Sequence, residues 1–107
     1  MTQQEFITEI TKRLVPLYKP LAIYLYGEKD WGIAADPADV ELTIIVASSP
    51  YQRRIDRAMP GYEVMRGIHL GKLIFVLTKE EFDLQKDNPE SPAYYAKHEG
   101  MQIYANS

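Results

Sequence analysis

Apolar residues recur along this chain at two different spacings, and the change from one to the other marks out its elements. Phe6, Ile7, Ile10, Leu14 and Leu17 follow at steps of three and four, the stripe of an amphipathic helix that packs on a sheet. Thr2-Gln3-Gln4-Glu5 opens it as a capping box, and Pro16 and Pro20 mark its frayed end. Leu21 to Tyr26 is branched and aromatic, ends at Gly27, and reads as a largely buried strand. Glu28 to Ala35 reads as a short helix stopped by Asp36-Pro37, because a residue before proline avoids helical geometry. Asp39 to Ala47 then alternates as a second strand, with Val40 and Leu42 turned into a core.

Ser49 and Pro50 carry the signature of an N-cap and first helical position, for a helix through about Met59 whose Arg53, Arg54 and Arg57 form a solvated face or a candidate phosphate or RNA site. Tyr62 to Met65 and Lys72 to Leu77 read as two further strands joined as a hairpin between Gly67 and Gly71. Thr78-Lys79-Glu80-Glu81 repeats the capping box ahead of Phe82 and Leu84. Ser91 caps a last helix with Pro92 at its first position, His98 in its last turn and Gly100 just past its end. Met101 to Tyr104 closes the chain as an edge strand. The pattern is that of one α+β domain spanning residues 1–107, two-layered, with helices mainly on one face of the sheet.

Composition narrows the function more than the fold. At 107 residues, 46% hydrophobic and 25% charged, the chain can bury roughly two thirds of its surface without staples. It has no cysteine, which removes thiol catalysis, cysteine-ligated zinc and disulfides. A net charge of -3 offers no basic field for coating nucleic acid. No basic start precedes an apolar run and no run approaches ~20 residues, so neither a signal peptide nor a membrane span is expected, and the expected location is cytoplasmic.

The candidate chemistry lies in Tyr26 to Leu42, YGEKDWGIAADPADVEL. Asp39 and Glu41, two apart on a strand, share a face, and paired oxygen ligands on one face suit a hard cation such as Mg2+. A half-buried strand with polar residues on its wet side gives the same alternation. His69 is a candidate base or a loop side chain. Trp31 is a candidate stacking residue or a packing one. Tyr94 and Tyr95, adjacent on one helix, cannot both face the core, so one is a candidate for a homodimer contact.

Gly27, Gly32 and the Asp39/Glu41 pair on the following strand resemble, in order and interval, the site motif of minimal nucleotidyltransferases of the polymerase-beta-like superfamily. Thr78-Lys79-Glu80-Glu81-Phe82 and Glu99-Gly100-Met101-Gln102-Ile103-Tyr104 resemble the C-terminal half of such domains, so that the likeness covers nearly the whole chain. It implies a nucleotidyltransferase-like mixed sheet of four to five strands. It also implies transfer of a nucleoside monophosphate from a nucleoside triphosphate to an acceptor hydroxyl. Asp39 and Glu41 would be catalytic and hold Mg2+, with Gly27, Glu28, Lys29 and Gly32 against the nucleotide. Minimal relatives are often paired with a small helical HEPN-type protein, which makes an antitoxin-like binding module the alternative. Three departures bear on turnover: Glu28 stands where the family has serine, Glu41 replaces an aspartate, and Lys72 or Leu73 occupies the place of a third carboxylate. A carboxylate at position 28 repels a triphosphate or adds a cation ligand, and neither lysine nor leucine supplies an anionic oxygen.

Overall fold

The computed structural model describes residues 2–28, 39–68 and 71–106, with Glu28, Asp39, Gly71 and Lys72 described by their backbone alone. Helix α1 runs Gln3–Tyr18 behind the expected capping box: the Glu5 N–H donates to Thr2 Oγ1 at 3.1 Å and the Thr2 N–H to Glu5 Oε1 at 3.0 Å. Phe6, Ile10 and Leu14 are fully buried at four-residue steps. Tyr18 continues that row, so Leu17 is 40% exposed, contrary to the expected stripe. The helix continues past Pro16, whose ring removes only one backbone donor this near the end.

Strands β1 (Ala22–Glu28), β2 (Asp39–Val46), β3 (Gly71–Thr78) and β4 (Met101–Ala105) form one mixed sheet in the order β3-β2-β1-β4. β1 lies antiparallel between β2 and β4, and β2 and β3 are parallel. The parallel pair is joined by helix α2, Arg54–Val64, and the sheet is followed on the chain by α3 (Lys79–Gln85) and α4 (Pro92–His98) before β4. This is the expected α+β arrangement. Glu28 belongs to β1, and the remainder of the expected helix to Ala35 lies outside the described residues.

Alternate residues of β2 face opposite sides. Val40, Leu42, Ile44 and Val46, with Ile23, Leu25, Ile74 and Val76, meet α1 and α2 in the main core. Ile45 and Leu77 meet Phe82 of α3 and Ala93 of α4 on the other face. Because α3 and α4 have seven residues each, they cover that second face only in part.

Two expectations about the middle of the chain are corrected. Tyr62 to Met65 is no strand: Tyr62, Glu63 and Val64 form the last turn of α2, Met65 is its C-cap, and β3 pairs with β2 rather than in a hairpin. Pro60-Gly61 looks like a break, yet the Tyr18 hydroxyl mends it by donating to Arg57 O at 2.6 Å and accepting the Gly61 N–H at 2.9 Å. Ser49 does not cap this helix either. Its Oγ accepts the Tyr51 N–H at 3.2 Å in a turn, and α2 starts at Arg54 behind Arg53 with no side-chain cap.

Nor is the arginine cluster wholly a solvated face. Arg57 is 7% exposed, its Nε donating to Tyr51 O at 2.6 Å and its Nη1 to Val76 O at 3.3 Å and Glu81 Oε1 at 2.6 Å. Glu81 Oε1 also accepts the Thr78 N–H at 2.8 Å in the second capping box, so one carboxylate joins α2, β3 and α3. Tyr62 Oη meanwhile accepts the Ile74 N–H at 2.9 Å. Side chains of α2 thus satisfy backbone groups of β3, an edge strand of the sheet. The Arg13 Nη1 ties α1 to the end of α2 by donating to Val64 O and Arg66 O at 3.1 and 3.2 Å.

Candidate functional site at one end of the β1–β2 ladder

Antiparallel pairing of β1 with β2 brings four of the singled-out residues together. Glu28 lies opposite Asp39, Gly27 opposite Val40, and Tyr26 opposite Glu41. Gly27 has φ 123°, a conformation that a side chain at this position would resist, and this is what the turn residue contributes. It lines a cleft of about 400 Å³ together with Leu25, Tyr26, Val40, Glu99 and Gly100. Val40 and Leu42, 1% and 0% exposed, anchor β2 in the main core, so Glu41 emerges on the partly covered face. Lys29, Trp31, Gly32 and His69 lie outside the described residues.

Glu41 is half-buried, and burial pushes its carboxyl above the usual carboxylate range. Among the described residues no cation pairs with it. On its β3 side the parallel register sets Leu73 beside Glu41 and Gly71 beside Asp39. The place expected for a third carboxylate is therefore taken by Leu73, 48% exposed, while Lys72 pairs with Val40 at a position of opposite face. Among the described residues no group of three or more His, Asp or Glu is placed to hold a metal ion.

Tyr26, opposite Glu41, and Glu99, which acts on the Tyr26 phenol, were given no role from the sequence. The Tyr26 ring stacks on Tyr95 of α4 with centroids 5.4 Å apart, and Tyr95 meets Tyr94 edge-on at 5.4 Å. The Tyr26 phenol is pushed up by burial first, then by the carboxylate of Glu99 and, beyond it, that of Glu41. Alternation along β1 places Tyr26 two residues from Tyr24 on one face, a signal present in the sequence. The approach of Glu99 depends on β4 returning beside β1, which no local pattern discloses. Both Tyr94 and Tyr95 are half-buried in this aromatic row. His98 sits in the last turn of α4 as expected, with Nε2 at 3.2 Å from Asp87 Oδ1 and its ring 4.5 Å from that of Tyr94.

No helix among the described residues is long and apolar enough to cross a membrane. No protein-family model matches the chain, and no curated protein or solved structure matches it significantly.

Proposed function

We propose that the chain is a nucleotidyltransferase-like domain in which Asp39 and Glu41 hold Mg2+ and a nucleoside triphosphate at the end of the β1–β2 ladder, with transfer to an acceptor hydroxyl impaired or lost. The observation that carries this reading is the register of β3, which sets Leu73 against Glu41. When bound, Mg2+ supplies charge neutralisation on the phosphates. Glu41, desolvated and unpaired among the described residues, supports a cation partner. Gly27 leaves room for close approach at the strand end. Leu73 contributes neither a ligand oxygen nor a site to receive the proton of an attacking hydroxyl, and catalysis of this type depends on positioning and charge.

A second reading is a binding module that pairs with a small helical protein of the HEPN type. Ile55 and Met59, one turn apart on α2 and 50% and 56% exposed, favour it, since they would suit a helix laid along α2. The test is calorimetric titration with a nonhydrolysable nucleoside triphosphate and Mg2+. Weak binding, with a Kd above roughly 100 μM and lost in Glu41→Ala, is expected. Micromolar affinity abolished by Asp39→Ala and Glu41→Ala, together with label transfer from a hydrolysable nucleotide, would overturn the impaired reading. No heat at all would leave the second.

A further inference from the structure

The guanidinium of Arg57 is held more firmly than a surface arginine and is not fully used. Its Nε and Nη1 are committed to Tyr51 O, Val76 O and Glu81, and among the described residues its Nη2 has no partner. Among the described residues no fully buried side-chain nitrogen or oxygen lacks a hydrogen-bond partner, so this amino group is not fully buried. Arg57 lines a cavity of about 230 Å³ between the end of α1, the turn after β2 and α2. Ser48 and Ser49 add hydroxyls to its rim, and Leu17, Pro50, Pro60 and Val76 give it apolar walls. The Ser49 Oγ already accepts the Tyr51 N–H, which leaves its own proton to donate. This cavity is at the opposite end of β2 from Glu41, beside Val46.

We propose that the Arg57 cavity binds a small uncharged ligand carrying a carbonyl or amide oxygen, which accepts from Arg57 Nη2 and the serine hydroxyls while its apolar part lies against the proline and valine walls. Charge selects this class. Glu81 at 2.6 Å already balances the guanidinium, so a second anion would bring an uncompensated charge into a partly dehydrated site. A single free amino group also lacks the two-nitrogen fork that holds a carboxylate or phosphate bidentately. Donors whose charge is already balanced, set in an apolar wall, suit an acceptor oxygen on a compact hydrocarbon frame.

The probe is 2-pyrrolidone, titrated into the full 15N-labelled chain and followed by NMR, with acetate in a parallel titration. Saturable shifts at the Arg57 Nε–H and the Tyr51 and Val76 amides are expected, with binding of acetate at least about fivefold weaker. Ser48→Leu fills the rim at an exposed position and should weaken 2-pyrrolidone about tenfold at unchanged Tm, while Leu84→Ser, on exposed α3 surface, should leave it unchanged. Non-saturating shifts, acetate binding as tightly as the lactam, or undiminished binding by the folded Ser48→Leu variant would each overturn the proposal.

Discussion

Replacing Arg57 by methionine tests whether the junction of α2, β3 and α3 rests on one guanidinium. The substitution keeps an unbranched apolar stem and removes three charge-assisted bonds, to Tyr51 O, Val76 O and Glu81 Oε1. A hydrogen bond to a charged group contributes about 1.5–3 kcal/mol net, and removing one partner of a buried pair costs about 3–5 kcal/mol. The Glu81 side chain is 30% exposed and retains the Thr78 N–H, so water and the cap take back part of that loss. A cost of about 3 kcal/mol follows, against a total stability of about 5–15 kcal/mol for a domain of this size. In urea, with a slope of about 1–1.5 kcal/mol per molar, the midpoint should fall by about 2–3 M. Combined with Glu81→Gln, the cycle should return a coupling of about 1–2 kcal/mol. Arg57 holds the Glu81 carboxyl below its usual range, so the stability from this pair is present above the ordinary carboxylate pKa and is lost as pH falls through the lowered folded value. The wild-type acid limb should be steeper than that of Arg57→Met. A midpoint within about 0.5 M of wild type, or parallel acid limbs, would refute the reasoning.

The site and the mended helix give two more tests. Burial raises the Glu41 carboxyl in the folded state, so its contribution is full below the ordinary carboxylate range and is lost as pH rises through the raised value. Glu41→Gln should therefore raise Tm at neutral pH and leave it unchanged near pH 4, and equal shifts at both would count against a desolvated carboxylate. A Cβ at Gly61 would meet the Tyr18 hydroxyl at 2.8 Å and Ile74 Cδ1 at 3.3 Å, so Gly61→Ala should cost about 1–3 kcal/mol in urea unfolding despite its better helix propensity. In a Tyr18→Phe background, where the oxygen is gone, the same change should cost less, and an unchanged cost would show that the hydroxyl is not what the methyl meets.

Signals that operate within one turn were legible in the sequence. Thr2/Glu5, Thr78/Glu81 and Ser91/Pro92 each need only a partner three residues away or a preset φ, and each stands where the pattern put it. Helix α2 was misread because its continuity is supplied from a distance. Pro60 and Gly61 are breakers on local grounds, and the hydroxyl that bridges Arg57 and Gly61 comes from Tyr18 on another helix. Arg57 was misread for the same reason, since it looks like Arg53 and Arg54 a turn earlier until the strand and capping box that it alone meets are known. At the site, alternation placed Val40 and Leu42 in the core and Glu41 outside the main one, while Leu73 beside it depended on a pairing that crosses the whole of α2.

That pairing is also why the apolar side of the site is fixed rather than incidental. In β3 the core face is Ile74 and Val76, 4% and 1% exposed, and α2 holds the same strand by its backbone through Tyr62 to the Ile74 N–H and Arg57 to the Val76 carbonyl. A slip of one residue against β2 would bring Lys72 or Ile74 alongside Glu41, but it would turn every alternate side chain of β3 to the wrong face. Two buried residues would then leave the main core, each worth about 1.5–3 kcal/mol, and both contacts from α2 would be lost. The strand cannot trade Leu73 for Lys72 without unmaking the core that defines it. Packing thus holds Leu73 beside Glu41, and among the described residues no side chain of β3 supplies Glu41 with a cation.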